Sequence, residues 1–92
     1  MAFREVEGRD TGKEVTLFAL FTCVWCRKTR RLLDSLGVAY RYVYVDMLEP
    51  AEKEKALEDM RRYNPDTTFP TLVVGDRVIR GFREKEIREA LE

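Results

Sequence analysis

The sequence contains no histidine. That removes Cys–His nucleophilic catalysis and most mixed zinc sites, which draw on imidazole. Net charge is also missing, because 17 basic residues cancel 17 acidic ones. No overall field therefore argues for nucleic acid or a membrane surface as partner. No apolar stretch approaches the ~18 residues of a membrane span. The opening run Met1-Ala-Phe-Arg-Glu-Val-Glu7 has no apolar core of the secretory type, so the expected location is the cytoplasm. Repeats and low-complexity segments are lacking as well. Ninety-two residues suffice for one domain with a single modest core. Cysteine is scarce, with two residues in the chain. In a reducing compartment such a pair points to catalysis or metal binding before a structural staple.

What is present is concentrated around those two cysteines. Cys23 and Cys26 lie in Phe18-Ala-Leu-Phe-Thr-Cys-Val-Trp-Cys-Arg-Lys-Thr-Arg-Arg-Leu-Leu33, where an apolar strand feeds directly into a helix. Cys23 falls at the helix start, where free N–H groups and the helix dipole favour negative charge. Thiols in such places ionise more readily and become nucleophiles. Cys26 follows three residues later, one turn deeper on the same face, within reach of a disulfide. Packing alone is the competing reading of two cysteines, but the strand–helix junction argues for redox chemistry.

The rest of the chain sets this junction among alternating strand and helix patterns. Residues 1–14 are polar and read as a tail, with room for a short edge strand at Phe3–Val6. Val15–Phe21 is nearly unbroken apolar sequence, as in a strand covered on both faces. The spacing predicts a helix over Cys23–Leu36, with Cys26, Thr29, Leu32, Leu33 and Leu36 inward and Gly37 as its left-handed stop. Val38–Val45 alternates, Tyr40, Tyr42 and Tyr44 to one side and Val43 and Val45 to the other. Pro50 suits the first turn of a helix reaching Tyr63, with Ala56, Leu57, Met60 and Tyr63 buried and its many charges solvated. Asn64-Pro65-Asp66 breaks it. Thr71–Val74 and Arg77–Arg80 form a hairpin around Gly75-Asp76, and Glu84–Glu92 closes as a helix on Ile87, Ala90 and Leu91. Strand–helix–strand at the start makes a right-handed unit of parallel strands. The hairpin adds antiparallel ones, giving an α/β domain over residues 15–92: a four-stranded mixed sheet flanked by three helices, β-α-β-α-β-β-α.

This order, with Cys-x-x-Cys opening the first helix, resembles the thioredoxin fold and within it the glutaredoxin family. Three landmarks carry the resemblance: Cys23-Val-Trp-Cys26, Thr68-Phe69-Pro70, and Gly81-Phe82. It implies a thiol–disulfide oxidoreductase in which Cys23 attacks a substrate disulfide and Cys26 resolves the mixed disulfide. The Cys23–Cys26 disulfide is then the redox group, with no bound cofactor. Pro70 matches the family's cis-proline, beside which the Phe69 backbone pairs with substrate in strand fashion. Trp25, Gly81 and Phe82 complete the implied substrate surface, Trp25 packing on a partner or burying against the sheet. Arg27 and Lys28 serve either the thiolate and an acidic partner or solvent alone, whereas Arg30 and Arg31 read as a solvated face.

Departures from the family pattern refine the expectation. Leu20 stands where glutaredoxins commonly place a lysine for glutathione. Arg80-Gly81-Phe82-Arg83-Glu84 replaces a Gly-Gly followed by an aspartate. Gly81-Phe82-Arg83 is instead similar to redoxins that supply ribonucleotide reductase and are reduced by thioredoxin reductase. Leu17 and Val24-Trp25 separate the chain from thioredoxins proper, which carry a buried aspartate and Gly-Pro at those places. The expected partners are disulfide-containing proteins and a reductant, either glutathione or a thioredoxin reductase, with the chain acting as a monomer. The alternative is a metal or iron–sulfur site, for which two thiols and no histidine require a pair of chains.

Overall fold

A computed structural model describes residues 2–92 of the chain. Its elements are β1 (Arg4–Val6), β2 (Val15–Ala19), α1 (Val24–Leu36), β3 (Tyr40–Tyr44), a 3₁₀ turn (Val45–Met47), α2 (Pro50–Arg61), β4 (Thr71–Val74), β5 (Arg77–Arg80) and α3 (Glu84–Leu91). The strands form one sheet in the order β1-β3-β2-β4-β5. Among the strands of the described residues β2 and β3 run parallel, and the other neighbouring pairs are antiparallel. The α/β architecture expected from sequence is present, with five strands in the sheet rather than four. The fifth is β1, the short edge strand for which the sequence left room at Phe3–Val6; its register runs from Arg4 opposite Tyr42 to Val6 opposite Tyr40. Its three residues are too few and too exposed to show a burial pattern in sequence.

Period-two alternation divides the core between the two faces of the sheet. Leu17, Leu72 and Ile79 lie side by side on neighbouring strands. With Tyr40 they face Leu32 and Leu33 of α1 and Ile87 and Leu91 of α3. One residue on, Phe18, Val43 and Val73 turn the other way onto Ala56 and Met60 of α2. A one-residue slip of β2 would exchange the two sets, so burial on both faces fixes its register.

Element ends follow local chemistry. Gly37 ends α1 with φ of +67°, and its N–H donates to the Asp34 carbonyl. Pro50 opens α2. In the hairpin Gly75 has φ of +60° and Asp76 does not share that sign, the pattern of a type II′ turn. Two expected boundaries are shorter. β3 starts at Tyr40 because Val38 pairs with Arg9, and it stops at Tyr44 because Val45 enters the 3₁₀ turn. α2 ends at Arg61, where the Tyr63 and Asn64 N–H groups both turn back to the Met60 carbonyl. Tyr63 is thereby 43% exposed instead of buried, though its ring stays 6.5 Å from that of Phe18.

Arg30 corrects the reading of a solvated helix face. Its guanidinium lies 3.8 Å from the Tyr42 ring centre and donates to the hydroxyls of Tyr40 and Tyr44 at 3.1 and 3.2 Å. Tyr40 in turn donates to Asp34 at 2.6 Å. Burial and the Asp34 hydrogen bond push the Tyr40 hydroxyl up to about 12. Arg31 is exposed as expected.

Candidate active site

The site is built where β2 ends and α1 begins, at the carboxyl end of the parallel pair. Cys23 is the N-cap of α1, with extended backbone (φ −94°, ψ 117°). Its Sγ accepts the Cys26 N–H at 3.3 Å, filling the place a serine or aspartate oxygen takes in other caps. The sulfur thus faces the partial positive charge of the helix end. Cys23 is half-buried, whereas Cys26 is wholly buried. The Cys26 Sγ accepts the Leu20 N–H at 3.4 Å. Its thiol is pushed up to about 12, first by burial, then by its hydrogen bond with Cys23, with the charge of Asp46 adding to the effect. The two sulfurs therefore differ in access, and burial keeps the Cys26 thiol protonated.

Beside this pair runs a cleft of about 240 Å³ lined by Trp25, Phe69, Pro70, Gly81 and Phe82. All five residues that the resemblance assigned to substrate meet here. The Phe69–Pro70 peptide is cis. Gly81, at φ +83°, donates its N–H to the Pro70 carbonyl at 2.8 Å, tying the end of β5 to the proline loop. Trp25 is 55% exposed rather than packed on the sheet. Its ring stacks with Phe82 at 6.0 Å and 25°, and the Lys28 ammonium lies 4.8 Å from its centre. Arg27 reaches back to donate to the Phe21 carbonyl at 3.0 Å. Leu20 packs with the α2-side core, and Glu84 pairs with Arg88 at 2.9 Å. A larger open cleft of about 920 Å³, which includes Glu5, Glu7, Lys13, Glu14 and Arg41, lies by the start of β2. It is at the wrong end of the strand for the cysteines.

Two residues near the site escaped the sequence reading. Asp46, in the 3₁₀ turn, accepts the Phe21 N–H at 2.7 Å, the Thr22 N–H at 3.3 Å and the Thr22 hydroxyl at 3.1 Å. Although burial works against it, those donors hold its carboxyl below the usual range. Asn64 is wholly buried. It donates to the hydroxyls of Thr68 and Thr71 at 2.9 and 3.0 Å and accepts the Asp66 N–H at 3.1 Å. No sequence signal distinguished Asp46 from other acids, and Asn64 was masked by its neighbour Pro65 as a mere helix breaker.

The sequence pattern of the glutaredoxin family matches residues 15–79. This span includes both cysteines and the proline loop. The chain belongs to the glutaredoxin family. Among solved structures it is similar to a glutaredoxin from Methanosarcina mazei, at 49% identity and TM-score 0.87 over 99% of this chain and 88% of that one. Methanoredoxin from Methanosarcina acetivorans is 47% identical with TM-score 0.87, over 91% and 88% of the two chains. The glutaredoxin-like NrdH-redoxin from Escherichia coli is 25% identical with TM-score 0.67, over 83% and 92%. The family assignment makes this glutaredoxin a thiol–disulfide redox protein of the thioredoxin-like fold, one that exchanges with disulfides and requires a reductant. Among the described residues no helix is long and apolar enough to cross a membrane.

Proposed function

We propose that this glutaredoxin reduces protein disulfides by a dithiol mechanism, with Cys23 as nucleophile and Cys26 as resolving residue. The observation that carries the reading is the paired depth of the sulfurs: one at the helix end, the other buried behind it. In the first step the Cys23 thiolate bonds to one substrate sulfur, the substrate S–S bond breaks, and the released sulfur takes a proton. In the second, Cys26 loses its proton and attacks Cys23 Sγ. The mixed disulfide breaks, the second substrate sulfur leaves as a thiol, and a Cys23–Cys26 disulfide remains. Two electrons have then passed to substrate, and a reductant restores the dithiol.

Mixed-disulfide formation itself prepares the second step. Two of the influences that raise the Cys26 thiol come from Cys23, its hydrogen bond and its charge. Both weaken once the Cys23 sulfur is a neutral disulfide, so Cys26 ionises more readily at the moment it must attack.

The substrate strand lies across the cleft, its backbone pairing with Phe69 beside Pro70 and its side chains resting on Trp25, Gly81 and Phe82. Leu20 and Arg80 in place of glutathione-binding residues favour a thioredoxin-reductase type of electron donor over glutathione. The likeness to NrdH-redoxin, described as having a thioredoxin-like activity profile, supports the same choice. The redox group is the cysteine pair alone, and the protein works as a cytoplasmic monomer.

The test pairs two variants with two donors. Cys23→Ser abolishes disulfide reduction, and Cys26→Ser accumulates a mixed disulfide visible by mass. Full turnover by Cys26→Ser on protein disulfides would overturn the dithiol mechanism. Thioredoxin reductase with NADPH sustains turnover better than glutathione with its reductase, and the reverse ranking would overturn the donor assignment. Protein purified without oxygen carries no metal or cluster, whereas one per two chains would favour the alternative metal-binding reading.

A further inference from the structure

The segment Leu20–Cys23 that delivers the nucleophile is held by two kinds of contact. The first kind uses the sulfurs: the Leu20 N–H donates to Cys26 Sγ and the Cys26 N–H to Cys23 Sγ. These change each time a sulfur forms or breaks a bond. The second kind does not involve sulfur. The Cys23 N–H donates to the Leu20 carbonyl at 3.1 Å, Arg27 donates to the Phe21 carbonyl, and Asp46 accepts three donors from Phe21 and Thr22. Of these hydrogen bonds, only those to Asp46 come from outside the β2–α1 junction, 24 and 25 residues away in sequence. The other outside contacts are side-chain packing, of Phe21 on the Tyr44 ring at 5.4 Å and of Leu20 on the α2-side core, and leave the backbone direction free. Asp46 is also a charged acceptor on neutral donors, the stronger class of hydrogen bond.

We infer that Asp46 is a positioning residue for the reaction, anchoring the Phe21–Thr22 backbone so that Cys23 keeps its place at the helix end through every redox state. The inference rests on Cys23 being the nucleophile. Phe21 and Thr22 immediately precede Cys23, so their backbone direction sets where Sγ sits relative to the Cys26 N–H and to the Phe69–Pro70 edge. Asn at this place keeps one oxygen acceptor but loses the charge and the second oxygen, so it cannot hold all three donors. The chain ends of the segment are secured separately by β2 and α1. The fold therefore survives the substitution while the aim of Cys23 does not.

The experiment compares Asp46→Asn and Thr22→Val, first in a Cys26→Ser background that isolates the opening step. The probe is dithiodipyridine, a neutral disulfide whose charge does not bias the comparison. Cys23 bonds to one of its sulfurs, the S–S bond breaks, and the expelled pyridinethiolate takes up a proton and is followed by absorbance. Misplacing a reacting group by about 1 Å costs on the order of a hundredfold. Asp46→Asn should therefore slow this step by about tenfold or more. Thr22→Val, which removes only the hydroxyl, should slow it less than about threefold, in line with one lost hydrogen bond.

With both cysteines intact, Asp46→Asn should lower kcat by a similar factor and leave KM within about twofold, because the substrate cleft is untouched. Amide exchange at Phe21 and Thr22 should accelerate while that of the β2 and β4 amides does not. Rates for Asp46→Asn within about twofold of the parent would overturn the inference. So would a loss confined to KM, or one accompanied by general loss of amide protection. Failure of the underlying reading has a different signature: Cys23→Ser would then still reduce disulfides.

Discussion

Asn64→Ala removes a fully buried amide that joins three parts of the proline loop. Three hydrogen bonds are lost, to Thr68, Thr71 and Asp66. At a net worth of about 1 kcal/mol each the loss is about 3 kcal/mol. Part is recovered because the Asp66 N–H, on an exposed residue, turns to water. Part is added because the truncation leaves a void beside Thr71, itself wholly buried. For a domain of this size the midpoint of thermal unfolding should fall by roughly 10–20 °C. The same bonds shape the approach to Phe69 and Pro70, so KM for a protein disulfide should rise as stability falls. Urea unfolding at neutral pH gives the first quantity and steady-state turnover the second.

Asn64→Asp separates volume from hydrogen bonding. It preserves size and the acceptor for Asp66, but sets a buried carboxylate against Thr71 Oγ1, whose proton already goes to the Thr68 carbonyl at 2.7 Å. Burial raises the pKa of such a carboxylate in the folded state. This variant should therefore be least stable at neutral pH and recover stability as pH falls. A loss below about 1 kcal/mol for Asn64→Ala, or an Asn64→Asp variant indifferent to pH, would refute the reasoning.

Further expectations concern backbone, charge and surface. Thr67 has φ of +48°, where a β-branched residue carries strain of order 1–3 kcal/mol; glycine there costs about 0.5–1 kcal/mol in unfolded-chain entropy. Thr67→Gly should raise stability by roughly 1 kcal/mol, and a lower urea midpoint would count against the strain. A Cβ at Gly8 would lie 2.6 Å from the Gly37 carbonyl oxygen and from the Val38 carbonyl carbon. Gly8→Ala should thus cost about 1–3 kcal/mol, read by unfolding and by amide exchange at Ala39. The folded-state pKa of Cys26 rises from 9.0 to about 12 and that of Tyr40 from 10.0 to about 12. The unfolded chain releases these protons first, so the stability they contribute is complete below about pH 9 and declines as pH rises toward 12. The lowered Asp46 carboxyl works at the other end: its contribution is present above 3.8 and lost as pH falls through the lower folded value. Urea midpoints that stay level at both extremes would contradict these assignments. Trp25→Ala should raise KM for a protein disulfide several-fold while leaving reaction with dithiodipyridine nearly unchanged; equal losses on both probes would remove Trp25 from substrate docking.

Much of this architecture is legible in the sequence because two strong periodicities and three short motifs agree. Leu17 and Phe18 sit in an apolar run that only a doubly covered strand accommodates, and the tyrosine alternation of β3 assigns its faces without further help. The motifs single out Cys23, Cys26, Phe69, Pro70 and Phe82, which the fold then brings to one end of the sheet. What escapes is tertiary. The edge strand β1 is legible only as room for one at Phe3–Val6, and pairing with β3 is what fixes it at Arg4–Val6. Arg30 stands among basic neighbours in α1, and what brings it inward is the Tyr42 ring and the hydroxyls of Tyr40 and Tyr44, which arrive from another element. Asp46 and Asn64 act through backbone and hydroxyl groups that any sequence supplies, so their residue type alone carries no mark of the role.

The Arg30 contacts have a mechanical consequence. One guanidinium rests on the middle of three tyrosine rings and holds the outer two by their oxygens, so α1 is indexed against β3 like a gear tooth among cogs. Rolling the helix about its axis would break both phenol bonds together and lift the cation from the ring. Helix roll is also what decides how far each sulfur stands from solvent. The unequal exposure of the two cysteines thus depends on a roll that Arg30, one turn beyond Cys26, fixes together with the buried Leu32 and Leu33.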